Sequence, residues 1–242
     1  MTPRLSWAEK LKRWQKGKDE ALAKAMMSPP EVTTLLRAVP FPGVIIIMGA
    51  RGKGKSGLAY EIADQLYDRR HIPGAVFITV TMMHLATRLR KLLPKWFSVV
   101  TALDGLPKRA VIILDEASQM AHARRTQSSQ ALTLDRMVGI ARQKQQLLIF
   151  ISHHSRKLDP NLIHESDRVL WKQPTYAHAL FERDEIRLFT YKALDFFNSI
   201  KGEKAQLKAC LMMDFHSLKF ARFNNQLPSW FSDELSHIFE NM

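Results

Sequence analysis

Short apolar runs alternate along this chain with longer segments in which apolar residues recur at helical spacing. A short run that is apolar on both sides is typical of a strand buried on two faces of a sheet. Strands that alternate with helices form a mostly parallel sheet covered by helices on both faces. We therefore predict an α/β fold, with its strands in the apolar runs at 44–48, 75–80, 97–100, 111–114, 147–151 and 169–171.

The two ends of the chain differ from this alternating middle. Residues 4–27 have the pattern of a basic amphipathic helix, which could lie on nucleic acid, a partner subunit, a membrane or the protein's own core. Residues 28–31 resemble a capping box that starts a short helix. The tail predicts helix over 175–200, a strand over 206–213 and a terminal helix. We expect a helical amino-terminal extension, a core, and a carboxyl-terminal extension packed on the core, at residues 1–39, 40–174 and 175–242.

The apolar run at 44–48 leads directly into a glycine-rich turn with the pattern G-x-x-x-x-G-K-S. In such a P-loop the backbone N–H groups surround nucleotide phosphates, the lysine reaches the β/γ oxygens, and the serine hydroxyl binds Mg²⁺. Glycine is needed because the backbone must approach the phosphates closely. The motif predicts a site for ATP and Mg²⁺. Its predicted contacts are Gly49, Ala50, Arg51, Gly52, Lys53, Gly54, Lys55, Ser56 and Gly57.

A second aliphatic run, at 111–114, ends in Asp115 and Glu116. In a P-loop NTPase, an aspartate at the end of a neighbouring strand holds Mg²⁺, so we predict Ser56 and Asp115 as the metal-binding residues. Glu116 is placed to orient or deprotonate the attacking water. The alternative is that the acidic pair only favours a helix N-terminus. We expect hydrolytic roles for Lys55 and Glu116.

The run at 147–151 also ends in polar residues, Ser152 and His153. If this strand lies between the other two, Ser152 and His153 are candidates to contact the γ-phosphate or the lytic water. The adjacent His153 and His154 also raise the alternative of a zinc site, but no companion ligands with suitable spacing surround them.

P-loop NTPases also use an arginine that stabilises the negative charge of the transition state of phosphoryl transfer. Arg142 is our first candidate, with Arg124, Arg125 and Arg136 behind it. If the arginine acts on the nucleotide of a neighbouring subunit, the protein must form an oligomer.

The charge of the chain restricts its partners. A formal net charge of +13 and a pI near 10.0 favour a polyanion, most simply nucleic acid, over an anionic membrane surface or no such partner. A single cysteine excludes an internal disulfide and favours a reducing compartment. The longest apolar runs are far too short to span a bilayer, and the charged start lacks the pattern of a signal peptide. We expect a cytoplasmic protein.

The segment at 139–171 resembles the sensor region of the FtsK–HerA superfamily of DNA-pumping ATPases. Members of that superfamily carry a basic segment, an apolar strand, a Ser/Thr-Gln pair, a Leu-Asp pair and a later aspartate. The matching residues here are Arg142 and Lys144, 147–151, Ser152, Leu158 and Asp159, and Asp167. His153 departs from the pattern, because glutamine is usual there. The P-loop and the 114–116 segment match the Walker A and Walker B motifs.

This resemblance implies a RecA-like (ASCE) P-loop NTPase fold with the sensor strand between the two Walker strands. It also implies a hexameric or similar ring with DNA in a central pore. The size of the chain is similar to that of the small viral genome-packaging ATPases of this superfamily, which implies a capsid or portal component as a further partner. Such a protein would be found in the host cytoplasm or associated with the virion.

The sequence thus leads to one function and two alternatives. The leading hypothesis is an ATP-hydrolysing motor that translocates double-stranded DNA without reading its sequence, with basic segments at 88–95 and 124–130 as candidates for the DNA grip. One alternative is another nucleic-acid-associated P-loop ATPase, such as an AAA-type loader or a phage morphogenesis ATPase. The other is a nucleotide-gated assembly or binding protein.

Overall fold

The computed structural model describes residues 20–102, 105–115 and 137–238. Within this part of the chain nine strands form one sheet in the order β1-β9-β8-β7-β2-β6-β5-β3-β4. The strands are β1 Glu31–Val32, β2 Gly43–Met48, β3 Gly74–Phe77, β4 Phe97–Val100, β5 Val111–Leu114, β6 Leu147–Ser152, β7 Arg168–Trp171, β8 Ala209–Asp214 and β9 Lys219–Asn224. Pairing is parallel from β7 through β4, and β8 pairs antiparallel with both β7 and β9. The predicted α/β fold is confirmed.

The helices lie on both faces of this sheet. They are α1 Leu35–Ala38, α2 Lys55–Arg70, α3 Ala86–Leu92, α4 Pro160–Glu165, α5 Tyr176–Leu180, α6 Asp184–Ser199, α7 Glu203–Lys208 and α8 Asp233–Ser236. Residues 20–27 and 137–141 are also helical. Two 3-10 turns cover Val80–Leu85 and Ser155–Lys157. Among the described residues no helix is both long and apolar enough to cross a membrane.

The central strands are buried because each of their faces packs against a helix. Every residue of β2, β5 and β6 is buried. Along β2, Ile45 and Ile47 pack into one core with α2, while Ile46 and Met48 pack into a second core with α6. Alternating side chains of one strand therefore fill two cores, which is why its sequence is apolar at every position.

The amino-terminal part of the described chain differs from the predicted capping box. Residues Glu31 and Val32 form an edge strand in which Glu31 pairs with Ala221, and α1 begins only after Thr34. The two prolines at 29 and 30 explain the difference, because a residue that precedes proline is disfavoured in the helical conformation. Of the helix predicted over 4–27, residues 20–27 are helical and the rest lies outside the described residues.

The carboxyl-terminal part adds two strands to the sheet. Here the predicted strand at 206–213 begins later, at Ala209, because residues 203–208 form α7. The predicted helix over 175–200 is divided into α5 and α6. Since β8 pairs with β7, this extension continues the sheet of the core. The boundaries that we place at residues 39 and 174 stay predictions.

Candidate nucleotide-binding site

Three of the motifs identified in the sequence meet at one edge of the sheet. Strand β6 lies between β2 and β5, and all three are parallel. Met48 is paired with Ser152, and Leu114 with Phe150, so the residues that follow these strands emerge side by side. Ligands of open α/β sheets bind at this carboxyl edge. The implied placement of the sensor strand between the two Walker strands is confirmed.

The first residue of the P-loop shows why the motif needs glycine. Gly49 has a φ of 144°, a backbone conformation that other residues rarely adopt. A Cβ atom at this position would lie 2.6 Å from the backbone oxygen of Lys172, the residue that follows β7. The P-loop therefore lies directly on the end of a neighbouring strand, and Ala50 N–H donates to the backbone oxygen of Gln173.

The two principal P-loop side chains, Lys55 and Ser56, face the end of β5 and the turn at residues 152–158 that follows β6, called the sensor turn below. Lys55 is 6% exposed, and its Nζ donates to the backbone oxygen of Ala50 at 2.9 Å and lies 3.0 Å from His153 Nδ1. Ser56 Oγ donates to Asp115 Oδ2 at 2.8 Å. The structure thus brings Lys55, Ser56, Asp115 and His153 together, as the sequence predicts.

The contact between Ser56 and Asp115 has the right chemistry for Mg²⁺. A hydroxyl and a carboxylate are hard oxygen ligands, and Mg²⁺ in nucleotide sites takes one or two such protein groups together with phosphate oxygens and water. Both groups open on the same cavity, which the P-loop residues Arg51, Gly52, Gly54 and Gly57 also line. The residues present therefore fit the predicted metal ion. Their role as its ligands stays a prediction.

The sensor turn places Ser152 and His153 differently. Ser152 is buried, and its Oγ donates to the backbone oxygen of His154 at 2.8 Å. The Ser152 hydroxyl therefore stabilises the turn after β6 through this hydrogen bond. His153, in contrast, lines the cavity and contacts Lys55. Of the two sensor candidates, His153 is the one that the structure places beside Lys55 in the cavity.

A third histidine, which the sequence analysis did not identify, packs behind the sensor turn. The ring of His178 stacks on His154, with ring centroids 4.3 Å apart and an interplanar angle of 18°. His178 also completes the capping box of α5 with Thr175. Burial, followed by the charges of His154, Lys55 and His153, lowers the pKa of His178 to about 4. This ring is therefore neutral at physiological pH.

Two further residues hold the sensor turn in place. The Ser155 hydroxyl donates to the buried carboxylate of Glu182. The Arg183 guanidinium donates to the backbone oxygens of Ser155 and Leu158, at 3.2 Å and 3.0 Å. These contacts explain why the helix predicted over 175–200 is interrupted between α5 and α6. No local sequence pattern indicates them, because they join residues 25 to 28 positions apart.

Arg142 lies at the opposite edge of the sheet from the P-loop. Its Nη2 is 2.5 Å from Asp167 Oδ1, and Asp167 Oδ2 accepts a hydrogen bond from Val44 N–H, at the start of β2. Arg142 and Asp167 therefore do not contribute to the nucleotide site of their own chain. A role for Arg142 at the site of a neighbouring subunit stays a prediction. Glu116, Arg124, Arg125 and Arg136 lie outside the described residues.

Lys53 does not line the cavity with its P-loop neighbours, and its side chain is directed toward α7. Its Nζ lies 3.6 Å from Glu203 Oε1, on the first turn of α7. Because the Glu203 carboxylate is largely exposed, this ion pair contributes little to stability. It does show that the tip of the P-loop faces the carboxyl-terminal extension.

Comparison with known proteins identifies the family. The family model described as "ATPase family associated with various cellular activities (AAA)" matches residues 45–174, more than half of the chain. The chain belongs to this AAA family of ATPases. The matched region runs from the P-loop strand through β7, and so contains the whole assembly of Lys55, Ser56, Asp115 and His153. A comparison of the sequence with curated proteins finds no significant match.

Solved structures share the fold of this AAA ATPase at low sequence identity. The genome-packaging NTPase B204 of Sulfolobus turreted icosahedral virus 2 in complex with AMPPCP superposes with a TM-score of 0.52 and 16% identity, over 77% of this chain and 99% of that one. Its complex with ATP-gammaS gives a TM-score of 0.54 and 14% identity, over 77% and 98%. B204 described as the DNA-packaging ATPase of Sulfolobus turreted icosahedral virus gives the same values. The predicted resemblance to packaging ATPases is confirmed at the level of fold.

Proposed function

We propose that this AAA ATPase is a motor that hydrolyses ATP to move DNA through a ring of subunits, and that it packages a viral genome. The observation that carries the hydrolytic part is the assembly of Lys55, Ser56, Asp115 and His153 at one sheet edge. The DNA part is supported by the net charge of +13 and by the fold shared with structures described as genome-packaging NTPases.

Each side chain at the phosphate end has a distinct role in this proposal. Lys55 stabilises the charge on the β- and γ-phosphates, which grows as the γ-phosphoryl group is transferred. Ser56 and Asp115 would hold Mg²⁺, which would neutralise part of the charge on the phosphate oxygens. Glu116 follows Asp115 directly and orients the attacking water.

His153 takes the place that glutamine has in the resembling superfamily. A lysine ammonium offers only donors, so the His153 Nδ1 that faces Lys55 at 3.0 Å must accept. A neutral imidazole whose Nδ1 accepts carries its proton on Nε2. We infer that this Nε2–H donates to the γ-phosphate, as a glutamine amide would. His153 is therefore a sensor of the phosphate that hydrolysis removes.

The sensor turn connects this contact with the rest of the fold. His154 stacks on His178 of α5, and Glu182 and Arg183 hold the turn just before α6. In the proposal, loss of the γ-phosphate releases His153 and shifts the turn together with α5 and α6. In this proposal the contacts transmit the loss of the γ-phosphate from the turn after β6 to α5 and α6.

The proposed DNA grip is carried in part by the segment at 88–95. Arg90, Lys91 and Lys95 are exposed there, whereas Arg88 is paired with Glu234 at 2.6 Å. Exposed cations of this kind bind phosphates without reading the bases. The second candidate segment, at 124–130, lies outside the described residues. A capsid or portal component is the further partner that genome packaging requires, in the host cytoplasm or on the virion.

The test is ATP hydrolysis with and without double-stranded DNA, at several salt concentrations. The proposal predicts stimulation by DNA that declines with salt, and loss of hydrolysis in Glu116→Gln while nucleotide binding remains. Hydrolysis that no nucleic acid stimulates would favour a nucleotide-gated assembly protein. In native mass spectrometry with a non-hydrolysable ATP analogue the protein should form a closed ring, and a strict monomer would contradict the ring.

A further inference from the structure

A row of positive charges lies along the edge of the sheet opposite the nucleotide site. Strands β4, β3, β5 and β6 are neighbours and parallel, so the segments that lead into them lie side by side at their amino edge. We call this surface the amino-edge rim; its cations are Arg69, Arg70, Lys95, Lys108, Arg109, Arg142 and Lys144. Within the described segments 67–73, 93–96, 105–110 and 142–146, Asp68 is the only acidic residue.

Backbone contacts fix the spacing of the amino-edge rim. The four strands begin in register, because Gly74 pairs with the first residues of both β4 and β5, and Val111 pairs with Leu147. Neighbouring strands lie about 4.8 Å apart, so the row is about 15 Å long. The loops before β5 and β6 are also joined, since Arg109 N–H donates to the backbone oxygen of Lys144 at 2.8 Å. The cations of these loops are therefore held side by side.

The cations of the amino-edge rim are accessible to a partner. Lys144 is half-buried, and the other six are exposed. Arg142 is paired with Asp167, but none of the remaining six cations forms an ion pair or a side-chain hydrogen bond with any residue that the structure describes. Positive charges held close together repel one another, which costs the folded state free energy. A bound polyanion would relieve this repulsion.

The length and charge of the amino-edge rim fit the backbone of a nucleic-acid duplex. Each strand of a duplex carries one phosphate about every 3.4 Å along its axis, so a row of about 15 Å faces about four phosphates of one strand. Lys and Arg side chains bind such phosphates without reading the bases. The rim also continues the basic segment at 88–95, because α3 ends just before Lys95, at the amino edge of β4.

We propose that the amino-edge rim binds the phosphate backbone of duplex DNA, through all of its cations except Arg142. The inference rests on the proposed function and assigns the part of the protein surface on which the DNA lies. Its ligand class is a double-stranded nucleic acid, recognised by its phosphates and not by its bases. Because the rim and the P-loop lie at opposite edges of one sheet, the DNA binds without entering the nucleotide site.

The experiment measures the salt dependence of duplex binding. Fluorescence anisotropy follows binding of a labelled duplex of random sequence at several salt concentrations, in the presence of Mg²⁺ and a non-hydrolysable ATP analogue. The rim variant combines Lys108→Gln with Arg109→Asn, because asparagine tolerates the φ of 48° at that position. Each lost phosphate contact lowers the slope of log Kd against log salt by about 0.9, so this slope should fall by about 1.8. At about 0.1 M salt the Kd should rise on the order of fiftyfold.

The rim variant should keep the fold and the nucleotide site of the wild type. Both substituted side chains are exposed, and neither lines the cavity above the P-loop. Surface substitutions of this kind leave stability nearly unchanged. Thermal melting and ATP hydrolysis without DNA should therefore match the wild type, which separates a loss of DNA contact from a loss of folding.

Lys201→Gln combined with Lys204→Gln is the matched control. Both lysines are exposed and lie near the P-loop edge of the sheet, where Lys53 is paired with Glu203. The control removes the same two charges and should leave the slope of log Kd against log salt unchanged. An equal loss of slope in the control and the rim variant would show that only net charge matters, and it would overturn the proposal. Wild-type binding of the duplex by the rim variant would also overturn it.

An acidic protein segment carries the same sign of charge as DNA, so polyglutamate is the competing probe. A rim variant that loses binding of polyglutamate and retains wild-type binding of the duplex would assign the rim to an acidic protein and overturn the proposal. If the wild type binds the duplex and the rim variant binds it equally well, the rim is refuted and the proposed function stands. A wild type that binds no duplex at any salt concentration refutes the DNA part of the proposed function itself.

Discussion

Gly49→Ala is the substitution whose cost can be worked most directly from the structure. The new Cβ would lie 2.6 Å from the backbone oxygen of Lys172, and backbone atoms cannot move away as a flexible side chain can. The φ of 144° adds conformational strain, which costs about 1–3 kcal/mol for a residue other than glycine. With the clash included, we expect unfolding free energy to fall by about 3 kcal/mol or more.

Gly52→Ala supplies the matched control in the same loop. Gly52 also has a positive φ, of 70°, but a Cβ atom there would meet nothing within 4 Å. Only the conformational strain remains, and it should cost about 1 kcal/mol. Urea denaturation of both variants measures the difference. If the two lose the same stability within about 0.5 kcal/mol, the contact between the P-loop and β7 does not have the tight geometry described above.

Three further predictions concern the sensor, the neighbouring subunit and pH. His153→Ala should lower kcat at least tenfold. His153→Gln should keep most of the wild-type kcat, because the glutamine amide supplies an N–H donor. Equal losses of kcat in the two variants would contradict the sensor role. If Arg142 acts on the nucleotide of a neighbouring subunit, mixing inactive Lys55→Ala with inactive Arg142→Ala should restore ATP hydrolysis. No recovery would indicate that Arg142 serves only in its ion pair with Asp167. Because the pKa of His178 is lowered to about 4, the unfolded chain binds more protons than the folded chain below about pH 6.5. Stability is therefore lost as pH falls toward 4; relative to His178→Gln, the wild type should lose on the order of 1 kcal/mol between pH 7 and 5, and parallel profiles would contradict this.

The parts of the fold that follow from sequence are those with a strong local pattern. Strands β2, β5 and β6 are predictable because each contains an uninterrupted apolar run, and the residues that follow each run are distinctive. Strand β9 does not follow from the sequence, because Lys219–Asn224 mixes buried and exposed residues and contains no apolar run. Strand β1 has only two residues, and its pairing with β9 depends on a contact across the whole chain.

The same distinction holds within the site. Lys55, Ser56 and Asp115 carry motifs, so their chemistry could be predicted before their positions were known. Lys172 and His178 have no motif, because their roles come from residues far away in sequence. A lysine that follows an apolar strand suggests a surface charge, whereas Lys172 is fully buried among backbone oxygens. Such positions are defined by tertiary packing, which no local pattern reports.

In the proposed function, hydrolysis at this site moves the protein along DNA. The most direct measurement is displacement of a third strand from a DNA triplex, which requires a motor to travel along the duplex. We predict displacement by the wild type with ATP and Mg²⁺, and none with a non-hydrolysable analogue or in Lys55→Ala. Wild-type protein that hydrolyses ATP in the presence of the triplex DNA and yet never displaces the third strand would contradict the claim.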